Sequence, residues 1–349
     1  MTLEDCRKVC ETNPTFKEKV FEIDGYKIHN FNYMVMDDTL ESYPEMRGIC
    51  FVKNTDGTFK RFLMMKKFFN LNENESVSFE RLKDKRTKRV TEKIDGSLIR
   101  FIQLPNGRIV AKTIGGIDNV MCETANKILK NNFNLSVFVH YTLNNNICAL
   151  FELVSKDNKV VIDYNEENLY LLKCREERTG DDIEIPVDIL CAKRFNPNTT
   201  LNFWIERVKD LEHFEGYVIE FDDGQMVKMK SLWYVTLHRL KALMREDTVF
   251  SMMDKWDDYI AQIKTNFPED VNAVMEIYNT INKRIQTDID GIQEILVEYT
   301  GERKSFAIKY NKHKYFHHAM EAIKTNPKDA VIKFVSKYSY QDFMDWLNT

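Results

Sequence analysis

No Cys-x-x-Cys pair occurs among the seven cysteines (Cys6, Cys10, Cys50, Cys122, Cys148, Cys174 and Cys191), which lie scattered among apolar residues as buried thiols do. That favours a reducing compartment. Proline and glycine are scarce, 7 and 12 in 349 residues, and with 43% hydrophobic and 30% charged residues this excludes a large disordered segment. No stretch approaches the roughly 18 uninterrupted apolar residues of a membrane span, and Met1 leads into the polar run TLEDCRK with no apolar segment behind a basic start. A soluble, cytoplasmic protein without membrane association is expected. There is also no excess of positive charge: the formal net charge is −4, so any nucleic-acid binding must rest on local patches. By the prior of about 100–200 residues per domain, two domains are expected.

Aspartate-glycine pairs punctuate the first two thirds of the chain. FKEKVFEIDGYKIHNFNYMVM alternates around Asp24-Gly25, KNTDGTFKRFLM turns at Asp56-Gly57, and FEGYVIEFDDGQMVKMK turns at Asp223-Gly224; Asn106-Gly107 marks a further hairpin. ICALFELVSKDNKVVIDY reads as two strands about Lys156-Asp157-Asn158, and NLYLLKCREERTGDDIEI as another with a turn at Thr179-Gly180. Helical spacing is confined to Thr2–Cys10, Asp118–Asn131 and Thr200–Leu211. After Trp233 the chain turns helical, over Leu237–Arg245, Thr248–Thr265, Asp270–Ile289, Gln293–Tyr299, Ser305–Lys324, Lys328–Tyr338 and Gln341–Leu347, with breaks at Pro268, Gly291, Gly301 and Pro327. The expected fold is α+β: a mainly antiparallel domain with flanking helices over residues 1–240 and an all-α domain over 241–349.

Chemistry concentrates in TEKIDGSLIRF. Lys93, Asp95, Gly96 and Ser97 form K-x-D-G-S around a tight turn, so Lys93 ends one strand and Leu98 begins the next. A lysine with an ordinary pKa of about 10.4 must lose its proton to attack phosphorus, which requires burial or cationic neighbours. Lys228 and Lys230 alternate along one strand, face the same side, and can grip phosphate oxygens while depressing the nucleophile; an isolated K-x-K is otherwise an exposed strand face. Glu152 in ALFELV and Glu215 in HFEGYVIEF each interrupt an apolar strand, a costly placement unless the carboxylate meets a metal, a ribose hydroxyl, a base or a salt-bridge partner. Arg81, Lys83, Lys85, Arg86, Lys88 and Arg89 crowd the stretch before Lys93 and read either as a solvated face or, given their position, as phosphate contacts.

The order K-x-D-G-S, F-E-x-V, E-G-Y-V, K-x-K resembles the covalent nucleotidyltransferase superfamily of ATP-dependent ligases and capping enzymes. Arg47-Gly48, KKFFNLNEN, FELVSKDNKVVIDY, FEGYVIEF and KMKSLWYVTLH narrow the resemblance to the phage RNA ligase 1 family, the tRNA-repair ligases of T-even phages, from about Tyr26 to His238. The resemblance implies that Lys93 forms a lysyl-AMP intermediate and that Arg47 and Lys67 contact the ATP phosphates or the surroundings of the adenylate. It places Glu152 on the ribose, Glu215 near the adenine or metal, Lys228 and Lys230 on the α-phosphate, and Tyr234 at a position used for ligation. Three positions depart from the family: Ile94 stands where an acidic residue follows the lysine, Phe31 replaces an aromatic hydroxyl that stacks near ATP, and Ile114 replaces a lysine for which Lys112 could substitute from the same face.

The likeness is weakest in the helical third. Asp257 or Asp258 is the nearest match for a metal-binding carboxylate there, but an acidic helix face is the better reading, and the Lys/Arg-rich span Arg303–Lys337 could track an RNA backbone. His313, His317 and His318 are better explained by a surface helix than by zinc. The implied activity is an ATP-dependent RNA ligase using Mg²⁺ or Mn²⁺ that joins 5'-phosphate and 3'-hydroxyl ends of single-stranded RNA or of a tRNA anticodon loop. It would act as a monomer, with an end-healing kinase/phosphatase as partner, in the host cytoplasm if phage-encoded. Rivals are a DNA ligase, a capping guanylyltransferase, or an inactive nucleic-acid-binding homologue.

Overall fold

Alternation of apolar and polar residues organises the amino-terminal part into three sheets. The structure, a computed structural model, describes residues 1–34, 38–156 and 160–349. It divides into two compact units, Met1–Thr236 and Leu237–Thr349. Helix α1 (Leu3–Thr12) opens on a capping box in which Thr2 and Asp5 satisfy each other's backbone N–H groups. Strands β1 (Phe16–Ile23), β2 (Tyr26–Tyr33), β3 (Cys50–Lys53) and β4 (Phe59–Phe62) then form an antiparallel sheet in chain order. The first hairpin closes on Asp24 and Gly25, both left-handed at φ 52° and 78°.

The chain continues through β5 (Phe69–Asn70), α2 (Phe79–Leu82), β6 (Thr87–Lys93), β7 (Ser97–Gln103), β8 (Ile109–Lys112), α3 (Val120–Asn131) and α4 (Phe133–Asn144). After β9 (Ile147–Val154), β10 (Asn168–Glu176), β11 (Asp182–Ile183) and β12 (Arg194–Phe195), helix α5 (Leu201–Lys209) leads into the hairpin of β13 (Gly216–Phe221) and β14 (Met226–Lys230). A second sheet has the order β11-β10-β9-β7-β8 and is antiparallel throughout. The third has the order β12-β6-β13-β14-β5, antiparallel except where β5 joins β14. The α+β class is as expected.

Three local expectations are corrected. The Asp-Gly after Lys93 does not close a hairpin: β6 and β7 belong to different sheets, and residues 94–96 cross between them. The tip at Asp157 and Asn158 lies outside the described residues, and no strand forms over Val161–Tyr164, because the N–H groups of Val161 and Ile162 turn to the Asp95 carboxylate instead. FNLSVFVHYTLN forms α4, capped by Asn132 and burying Leu135, Phe138, Val139, Thr142 and Leu143 at helical spacing. Its core face joins Ala125 and Leu129 of α3 against Ile99, Phe101 and Phe151, and α5 packs Trp204 and Val208 over Tyr217, Ile219 and Val227 of the third sheet. Each Val, Leu, Ile or Phe side chain so buried contributes on the order of 1.5–3 kcal/mol.

The basic run before Lys93 is answered by carboxylates. Lys83 pairs with Glu80, Lys85 with Asp223, Arg86 with Asp222, Lys88 with Glu220, and Arg89 with both Glu220 and Glu184. All five side chains thus have carboxylate partners, and Arg89 also lines the cavity described below. Lys85, Arg86, Lys88 and Arg89 tie β6 and the turn before it to the β13–β14 hairpin, and Lys83 pairs within its own turn.

Helix α6 (Leu232–Ala242) carries the chain out of the first unit, and α7 (Glu246–Ser251), α8 (Trp256–Asn266), α9 (Val271–Leu296), α10 (Arg303–Tyr310), α11 (Phe316–Ala322), α12 (Pro327–Val335) and α13 (Tyr340–Leu347) follow. The expected break at Gly291 does not occur; α9 runs through it. A Cβ at 291 would lie 2.0 Å from the Tyr315 ring, so this glycine serves close packing, not termination. The Tyr315 hydroxyl reaches the buried Asp288, which also accepts from Trp346 Nε1 at 2.7 Å and pairs with Arg284 at 2.8 Å. The expected helix over Ser305–Lys324 divides at Asn311–Lys314, four polar residues with nothing to continue an apolar stripe. Among the described residues no helix is long and apolar enough to cross a membrane.

Candidate active site

Lys93, Gly216 and Lys230 lie side by side across β6, β13 and β14, because Gly216 is in register with both lysines. Only glycine fits between them: a Cβ at 216 would sit 1.8 Å from the Met229 carbonyl oxygen, at φ 155°. Glu215, immediately before this glycine, is 2% exposed and accepts from Lys93 Nζ at 2.8 Å through one oxygen and from Lys230 Nζ at 3.0 Å through the other. The isolated acid in FEGYV is thus a shared counter-ion.

The crossover after Lys93 is fixed by Asp95. Its buried carboxylate accepts the N–H groups of Val161 and Ile162, both at 2.8 Å, and the Tyr234 hydroxyl at 2.7 Å; the Asp95 N–H donates to the Tyr164 hydroxyl at 3.1 Å. Burial, then Glu215 and Asp95, raise the Tyr234 phenol well above its ordinary pKa, so it is a neutral hydroxyl. Gly96 passes so close to β9 that a Cβ would meet the Leu153 carbonyl oxygen at 2.2 Å and the Glu152 side chain at 3.1 Å. Ile94 packs on Val154 and Ala192.

Between the second and third sheets this crossover opens into a cavity of about 500 Å³. Arg47, Lys67, Lys93, Glu152 and Lys228 line it; Glu215, Lys230 and Tyr234 are not among its lining residues and stand next to Lys93 through the contacts above. Arg47 donates to the Met65 carbonyl at 3.5 Å. The Lys67 ammonium lies 5.0 Å from the Phe69 ring centre and 5.7 Å from that of Tyr33. Phe31 is not at the cavity: it is fully buried, edge-on to Phe51, in the core under the first sheet. Two residues on along β2, Tyr33 lines the cavity with its hydroxyl intact. Ile114 also lines it, whereas Lys112 is fully buried and donates to the carbonyls of Gly48 and Thr113, at 2.7 and 2.9 Å, so it cannot stand in for a lysine at 114.

Electrostatics depart from the expected depression of the nucleophile. Burial acts to lower the Lys93 pKa, but Glu215, Glu152 and Asp95 outweigh it and hold the ammonium above its ordinary value. Lys228 carries the depression instead, to about 8, through burial and then its neighbours Lys67, Lys93 and Lys230. Burial pushes Glu152 up to about 7. A second charged wall was invisible in LYLLKCRE: Lys173 lines the cavity with Arg89 and Glu220 and bonds Glu220 at 2.9 Å, and burial notwithstanding, Lys173, Lys88 and Arg89 hold Glu220 down at about 2. An acid paired with a lysine on a different sheet gives no local signal.

Among the described residues no group of three or more His, Cys, Asp or Glu is arranged to hold a metal. Asp257 and Asp258 occupy the first turn of α8 in the second unit, where acids complement a helix amino terminus. His318 packs against Phe334 at 4.4 Å between ring centres.

Residues 45–234, more than half the chain, match the family model described as RNA ligase. The chain belongs to the phage RNA ligase 1 family. This family member is 30% identical over 256 residues to a protein of Thermovibrio ammonificans named "Putative RNA ligase", covering 68% of this chain and 64% of the relative. It is 23% identical over 221 residues to an RNA ligase of Rhodothermus phage RM378, 49% of each. The chain spans less than two thirds of the length of these curated relatives. An archaeal ATP-dependent RNA ligase shares the fold, with a TM-score of 0.51 and 16% identity over 83% of this chain and 80% of that one.

Proposed function

We propose that the chain is an ATP-dependent RNA ligase that joins 5'-phosphate and 3'-hydroxyl ends by three in-line displacements. The observation that carries this reading is Lys93, held by Glu215 at the junction of two sheets and facing a cavity lined by Arg47, Lys67 and Lys228. In the first displacement Lys93 transfers a proton to Glu215, 2.8 Å away, and its nitrogen bonds the α-phosphorus of ATP as the bond to the β-phosphate oxygen breaks and pyrophosphate leaves. Arg47, Lys67 and Lys228 neutralise the phosphates, and Lys230 remains on Glu215. Glu152 faces the ribose. In the second displacement an RNA 5'-phosphate oxygen takes AMP from Lys93, and in the third a 3'-hydroxyl attacks that activated phosphate and expels AMP.

A magnesium or manganese ion would be held largely by nucleotide phosphates, with the cavity-lining Glu152 as the protein ligand, since the described residues offer no three-ligand cage and both oxygens of Glu215 are engaged by Lys93 and Lys230. Such an ion, when bound, stabilises developing negative charge on the phosphoryl oxygens. The family resemblance points to broken tRNA as substrate, with a kinase/phosphatase preparing its ends. Incubation with α-labelled ATP, followed by a chase with 5'-phosphorylated RNA, tests the reading: label should appear on the protein, then on the RNA, then vanish as a sealed product forms. No label on the protein, or sealing of nicked DNA alone, rejects it.

The pH dependence follows from Lys228. Its charge is present below about pH 8 and lost as pH rises through that value, so phosphate binding by the free enzyme weakens on the alkaline side. The expected result is a fall in kcat/KM for ATP above pH 8 that Lys228→Arg, charged throughout, flattens. Identical alkaline limbs in the two proteins would count against it.

A further inference from the structure

The end of the third sheet that presents Lys93 also carries an aromatic pair that the adenylylation chemistry does not use. His213 lies three residues before Gly216 and Trp233 three residues after Lys230, so both stand just past the sheet end at which Lys93, Gly216 and Lys230 are in register. Their rings meet at 4.9 Å between centres with a 50° tilt. His213 is exposed and Trp233 half-buried, and Leu232 beside them is 68% exposed.

Hydrogen bonds join the segments that flank this pair at the reactive centre. The Ser231 N–H donates to the Glu215 carbonyl at 2.8 Å, its hydroxyl donates to the Phe214 carbonyl at 2.7 Å, and the same oxygen accepts the Tyr234 N–H at 3.0 Å. His213 holds φ 54°, a left-handed conformation that histidine and asparagine adopt more readily than most residues, and its imidazole is laid against the indole. Both neighbours of the pair act on Lys93: Glu215 directly, and Tyr234 through Asp95. An exposed π-surface fixed beside a nucleophile that must hand its AMP to a strand end has the properties of a base-stacking platform.

Building on the ligase reading, we propose that His213 and Trp233 form the stacking site for the unpaired 5'-terminal nucleobase of the RNA that receives AMP. The site takes a nucleobase by its face and is indifferent to sequence, because every base offers a π-face. It positions the 5'-phosphate toward Lys93 and takes no part in bond making.

The test compares AMP transfer to a 5'-phosphorylated RNA oligonucleotide with transfer to the same oligonucleotide bearing an abasic 5'-terminal nucleotide, with self-adenylylation measured alongside. For the unsubstituted protein the abasic end should raise KM roughly 10-fold, the loss expected from removing one base–aromatic stack. Trp233→Ala and His213→Asn should raise KM for the normal end and abolish the difference between the two, while Trp233→Phe retains most of it. His213→Asn, at an exposed position where asparagine suits the backbone, keeps the proposal falsifiable if Trp233→Ala does not fold. Equal KM values for normal and abasic ends in a protein that accepts label from ATP would overturn the stacking site. Absence of label would overturn the ligase reading itself.

Discussion

Lys93→Ala is expected to abolish covalent labelling by ATP, with a loss on the order of 10⁴-fold or more, because no other group takes over once a covalent nucleophile is removed. Lys228, whose pKa is lowered where that of Lys93 is raised, is the natural candidate for a substitute, but of the lysines lining the cavity Lys93 alone ends its strand at the crossover between the sheets. Lys93→Arg should be equally inactive: a guanidinium preserves the pairing with Glu215 yet stays protonated and cannot attack phosphorus. Folding should survive both changes, since Lys230 continues to pair with Glu215 at 3.0 Å. Labelling with α-labelled ATP after a denaturing gel checks this, and retained label on Lys93→Ala would mean another nucleophile. A ligation assay supplied with RNA already adenylylated at its 5' end completes the test, because that substrate bypasses Lys93.

Asp95→Ala is expected to be the most destabilising single change at the site, by about 3 kcal/mol or more. Its carboxylate satisfies two N–H groups and one hydroxyl around a side chain that is 4% exposed. Each buried donor left unpaired costs roughly 1–3 kcal/mol. Tyr234→Phe removes a single bond from the same acceptor and leaves the two N–H contacts, so its effect should be near 1 kcal/mol. Denaturant unfolding followed by tryptophan fluorescence separates the two; equal midpoints would show that Asp95 does not hold the crossover. Adenylylation should fall as well, by about 100-fold, as expected when a reacting group is displaced by about 1 Å.

Much of the site could be read in order along the chain, because K-x-D-G-S, the two strand-borne glutamates and the alternating lysines are each short patterns with local geometry. Strand alternation alone places Lys228 and Lys230 on one face, and burial logic alone singles out Glu215. What escaped was non-local. An Asp-Gly after a strand reads as a hairpin whether or not the next strand joins the same sheet, so the crossover at residues 94–96 could not be seen. Phe31 and Tyr33 share a face of β2, and which of them reaches the cavity depends on where the sheet ends. The Asp95 contacts with residues 161 and 162 come from a segment that looks like a strand in isolation. Helix α4 contains no Asp, Glu, Lys or Arg to mark a solvent face, and Gly291 mimics a stop signal while serving as a notch for Tyr315.

The close passage of Gly96 against the Leu153 carbonyl sets a division of labour for anyone wishing to re-engineer this protein. The spacing between the lysine-bearing crossover and the strand that carries Glu152 is set by main chain against main chain, with no side chain to compress or exchange. Around it, the cavity is lined by Met65, Leu98, Met121, Leu172 and Met226, residues that can be swapped for others of similar volume at modest cost. On the proposed ligase reading, nucleotide preference would be redrawn by exchanging those apolar side chains while the Lys93 nitrogen stays where the backbone puts it.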